Sequence, residues 1–86
     1  MTSGDKKHTI SDLDRETIKQ IATKAKSLRK ELGFSYEEFA IHAKINRNTY
    51  FKFEKSETTG DNFTVGILLK VIRGLNQTLQ SFFQDL

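Results

Sequence analysis

Ile18, Ile21, Ala25, Leu28 and Leu32 recur every three or four residues through an otherwise polar stretch, as the buried stripe of an amphipathic helix does. The spacing predicts a helix from about Asp12 to Glu31. Ser11 with Asp14 gives a variant capping box at its start, and Gly33, at low cost in the left-handed conformation, ends it. A brief second helix is expected over Tyr36 to Ala43, opened by Ser35 with Glu38 three residues on. Lys44 and Ile45 form a turn, and Asn46 caps a third helix from Arg47 to about Lys55. Ser56 to Phe63 has no hydrophobic period and reads as a loop. Thr64 caps a fourth helix whose broad apolar face is Val65, Leu68, Leu69, Ile72 and Leu75, ending near Asn76. Thr78 opens a last short helix with Leu79, Phe82 and Phe83. Five helices, no strand pattern, no proline and no internal repeat predict a compact all-α domain over residues 11–86. Met1 to about Ile10 is polar and aperiodic, and a disordered tail is expected there.

Phe34 to Ser56 carries the most information. Counted from Tyr36, the fourth, eighth, tenth, fifteenth and eighteenth residues are Phe39, Ala43, Ile45, Tyr50 and Phe53, all apolar or aromatic. In two short helices joined by a tight turn these positions point between the helices and toward their supports. The fifth residue, Ala40, is small enough for close approach. At about 100° per residue, Tyr50, Phe53 and Glu54 share the inner side of the third helix. Asn48, Phe51, Lys52 and Lys55 share the outer side, and Arg47 lies between the two in the first turn. This is the layout of a helix-turn-helix whose second helix enters a DNA major groove.

Charge sharpens the picture. The net charge is only +3, but Lys44 to Lys55 holds Lys44, Arg47, Lys52 and Lys55 against Glu54 alone. Composition removes other classes. There is no cysteine, so neither disulfides nor a thiolate metal site can supplement the core, and the seven phenylalanines are expected to carry much of it. His8 and His42 lie far apart without partnered acids, so neither a metal nor acid-base catalysis is expected. No catalytic site and no cofactor is expected either. No apolar run reaches the roughly 18 residues of a membrane span, and the first residues lack a signal-peptide core. A soluble, cytoplasmic protein with no membrane partner is the expectation.

Leu28 to Phe83 resembles the phage lambda repressor/Cro-like DNA-binding domains of the xenobiotic-response-element type. SLRKELGFSYEEFA resembles the end of the family's first helix and its second, INRNTYFKFEK its recognition helix, and FTVGILLKVIRGLNQTLQSFF its closing pair. The resemblance implies a five-helix domain that binds a palindromic operator in double-stranded DNA as a homodimer and regulates transcription, usually by repression. Carried onto this chain, Arg47, Asn48, Phe51 and Lys52 occupy base-reading positions. Ser35, Tyr36, Lys44, Thr49 and Lys55 occupy positions near phosphates. Arg29 and Glu54 match a family ion pair, and Leu79, Phe82, Phe83 and Leu86 are dimer-interface candidates. The side chains at the base-reading positions have the chemistry that role requires, since Arg and Lys donate to guanine, Asn pairs bidentately with adenine, and an aromatic presses on a thymine methyl.

Two residues depart from the pattern. Tyr36 stands where the family often has Gln, and Lys44 where Gly is usual in the turn. They leave room for a protein-interaction module of the same shape that has lost DNA binding. Small size fits a further reading, an antitoxin or controller subunit that binds both its operator and a partner protein such as a toxin.

Overall fold

The computed structural model describes residues 11–84 and Leu86; the tail expected over residues 1–10 lies outside them. The described residues form α1 (Asp12–Glu31), α2 (Tyr36–Ala43), α3 (Arg47–Thr59), α4 (Val65–Gly74) and α5 (Leu79–Phe83), with no strand among them. Each of these helices starts where a short polar side chain satisfies first-turn amides that would otherwise lack acceptors. Ser11, Ser35, Thr64 and Thr78 accept from the amides of Asp14, Glu38, Ile67 and Ser81, and Asn46 accepts from both Asn48 and Thr49. At α2 the box is reciprocal, with the Ser35 amide donating to the Glu38 carboxylate at 2.9 Å. Gly33 takes φ +85° after α1, as a residue without Cβ can at little cost.

α1 packs along α3, α2 wedges between α3 and α4, and α5 closes against α4. The enclosed core is built around four aromatic rings. Phe39, Tyr50, Phe53 and Phe82 are buried with Val71, Ile72 and Leu75. The Phe39 and Tyr50 rings lie 5.1 Å apart and Phe53 meets Phe63 at 4.7 Å. All six positions that the two-helix pattern requires to be apolar or small are buried: Phe39, Ala40, Ala43, Ile45, Tyr50 and Phe53. Gly74 lets α4 approach α2, since a Cβ there would stand 2.9 Å from the edge of Phe39 and 3.0 Å from Ala43.

Several expectations need correction. α3 does not stop near Lys55 but continues to Thr59, taking in half of the expected loop. Long-range contacts hold this extra turn. Buried Ser56 donates through Oγ to the Asp61 carbonyl at 2.9 Å, and Arg15 of α1 reaches the Thr59 carbonyl at 3.0 Å. Gly60 then ends the helix at φ +70°. On α4 the apolar face is rotated: Val65 is exposed, whereas Val71 is fully buried. That helix ends at Gly74, with Asn76 in the left-handed conformation just beyond it. Leu32 caps α1 and is exposed rather than part of its buried stripe. Exposed His42 stacks on Phe34 at 4.7 Å and its Nε2 donates to the Gly74 carbonyl at 3.0 Å, tying α2 to α4.

Candidate nucleic-acid interface

α2, a three-residue turn and α3 position the candidate surface. Asn46 starts α3 with its side chain folded onto the amides of Asn48 (2.9 Å) and Thr49 (3.3 Å), which fixes the first turn. Lys44 makes the preceding bend possible only by adopting φ 60°, ψ 44°, a strained conformation for a residue with a Cβ. Ile45 plugs the turn into the core. With Tyr50 and Phe53 locked inward, Arg47, Asn48, Phe51 and Lys52 stand together on the exposed side of α3, with Thr49 and Lys55 beside them.

Neighbours organise this surface further. Phe51 does not fold under the segment after α3. It is 45% exposed, lies 5.7 Å from the Tyr36 ring and carries the Lys55 ammonium 5.8 Å above its face. Arg47 donates through one terminal nitrogen to Glu37 at 3.1 Å, with both side chains largely in water. Ser35, exposed at the start of α2, accepts from the Glu38 amide through its hydroxyl oxygen at 3.1 Å. Along one edge, a groove of about 490 Å³ between α3 and α4 is floored by Phe53, Phe63 and Ile67 and rimmed by Lys52 and Lys55.

Behind the surface lies the pair expected between Arg29 and Glu54. It is bidentate, with Arg29 Nε and Nη2 reaching the two carboxylate oxygens at 2.6 and 3.1 Å. The remaining Arg29 nitrogen donates to the Phe34 carbonyl at 2.6 Å, and Tyr50 Oη donates to Glu54 at 2.5 Å. One guanidinium therefore connects α1, the chain entering α2, and the inner side of α3. Burial alone would lower the Arg29 pKa, but the hydrogen bond and charge of Glu54 outweigh it and the net shift is upward. Tyr50 is pushed far above its ordinary value, first by burial and then by its bond to Glu54, so it stays a donor.

The dimer candidates divide. Leu79 and Leu86 are exposed and Phe83 is partly so, but Phe82 is fully buried in the core and cannot meet a second chain in this fold. A burial pattern of period three to four in α5 could have separated Phe82 from its neighbour, but the helix is too short to display one. Glu37 is a member of the surface that sequence reasoning missed. Its only signal is an acid at the second residue of α2, across the turn from the first residue of α3.

No family model, curated protein or solved structure matches the chain. Among the described residues, no cluster of His, Cys, Asp and Glu could hold a metal, and no helix is long and apolar enough to cross a membrane.

Proposed function

We propose that this chain is a sequence-specific DNA-binding regulator of the lambda repressor/Cro-like kind, with α2 and α3 as its helix-turn-helix and α3 entering the major groove. The observation that carries the reading is the joint exposure of Arg47, Asn48, Phe51 and Lys52 on one side of α3, while every apolar position of the two-helix pattern is buried. Arg47, Asn48 and Lys52 then donate to base edges, and Phe51 makes apolar contact with a thymine methyl. Ser35, Tyr36, Lys44, Thr49 and Lys55 flank them as phosphate contacts that set affinity more than sequence preference. A repressor of this size acts as a homodimer by occluding a promoter, with Leu79, Phe83 and Leu86 as the surface left for the second copy.

Fluorescence anisotropy on mixed duplex DNA at two salt concentrations tests this, because phosphate contacts make binding fade steeply as salt rises. Asn48→Ala and Lys52→Ala should flatten preference at defined bases. Lys55→Ala should weaken binding to every sequence alike. Absence of salt-sensitive binding would favour a protein-interaction module, for which the half-open Tyr36 and Phe51 aromatic pair is the supporting feature.

A further inference from the structure

The contact between Arg47 and Glu37 is out of place as a stabilising device, since both side chains are more than half exposed, at 65% and 52%, and such pairs add little to folding. Its position gives it another use. Arg47 is the first residue of α3 and Glu37 the second of α2, so the pair spans the turn at the end of α3 that enters the groove. We propose that Glu37 is a positioning residue for base reading: its carboxylate holds the Arg47 guanidinium so that the rest of the fork is presented to a guanine. This rests on the DNA-binding reading above.

The chemistry follows from the guanidinium. Its N–H donors lie in one rigid plane, and guanine offers two acceptors, O6 and N7, that match two of them. A free arginine samples many rotamers and can equally grasp a phosphate, which carries no sequence information. Glu37 Oε2 takes one Nη1 proton at 3.1 Å and leaves the other donors for a base. An acid here also repels the DNA backbone, so it weakens binding to every sequence while sharpening the choice at one base pair. The general weakening follows from the charge alone, whereas a sharper choice at a single base pair requires that Glu37 act through Arg47, and a purely structural role at the start of α2 would not produce it.

The test begins with selection from random duplexes, using the wild-type chain and Arg47→Ala; the position where Arg47→Ala abolishes preference is the one Arg47 reads. A four-way panel varying that base pair is then titrated with Glu37→Ala and Glu37→Gln. Glu37→Ala should reduce the guanine preference roughly tenfold, the scale of one good arginine contact. It should also tighten binding to unrelated duplexes and leave preferences elsewhere unchanged. Glu37→Gln keeps an acceptor oxygen and should restore much of the preference. If Glu37→Ala leaves the guanine preference within about twofold while Arg47→Ala abolishes it, the positioning role is overturned and base reading by Arg47 stands. If Arg47→Ala changes preference nowhere, both fall together.

Discussion

Arg29→Ala removes the one group shared by α1, the chain at Phe34 and α3. The Arg29 and Glu54 side chains are 8% and 12% exposed, so water can only partly replace the lost partner. Tyr50 remains as the carboxylate's donor. Breaking a buried, hydrogen-bonded pair costs about 3–5 kcal/mol, whereas an exposed pair is worth about 0–1 kcal/mol. The lower end, about 3 kcal/mol, applies here because Tyr50 still holds Glu54 and alanine admits some water. For a domain of this size each kcal/mol moves Tm by about 4–8 °C, giving a fall of roughly 12–24 °C. Urea unfolding followed by far-ultraviolet circular dichroism should show a lower midpoint with an unchanged slope. The triple variant Arg29→Met, Tyr50→Phe, Glu54→Leu should recover part of the loss, because no charge or hydroxyl is then left without its partner. An Arg29→Ala loss below about 1 kcal/mol would place the pair in the exposed class and refute the reasoning.

Three further outcomes follow from the backbone and the tyrosine. Gly74→Ala, a change that gains up to about 1 kcal/mol at an unobstructed helix position, should instead destabilise by about 1–3 kcal/mol in urea unfolding, because the new Cβ meets Phe39 and Ala43. Lys44→Gly relieves a left-handed backbone and should stabilise by about 1 kcal/mol, read as a Tm rise of a few degrees. Tyr50 ionises far above its unfolded value of about 10, so its contribution to stability is complete below that pH and is lost as pH rises above it. In Tyr36→Phe protein, tyrosinate absorbance should therefore appear only together with loss of helical signal. Ionisation of the folded protein near the ordinary value would contradict the bond to Glu54.

The local starts of the helices were legible because each cap is written in one residue or in two within a single turn, as at Ser35 with Glu38. The α2 and α3 pattern was legible for a related reason: Phe39, Ile45, Tyr50 and Phe53 must all face inward for two short helices to pack, and that spacing is fixed by helix geometry. The outward placement of Asn48, Phe51 and Lys52 follows from the same geometry. The end of α3 was not legible, since Thr58 and Thr59 are held in helix by Arg15, 44 residues away from Thr59, and by the buried hydroxyl of Ser56. Nor was the rotation of α4, where Val65 and Val71 are chemically alike and only contact with the rest of the core distinguishes them. Nor was the role of Glu37 legible, because its partner lies beyond a turn, where the three-and-four spacing of a single helix has no force.

The anchor of α3 and its outward residues are separate sets. Glu54, Tyr50 and Phe53 fasten the helix from behind through Arg29 and the core, whereas Arg47, Asn48, Phe51 and Lys52 are exposed and lie outside that core. The outer side is therefore open to replacement wholesale: a different set of tips can be grafted onto the same rod without retuning the scaffold beneath. On a frame built this way, exchanges among the surface tips can accumulate one at a time, each tolerated by the packing at the moment it arises.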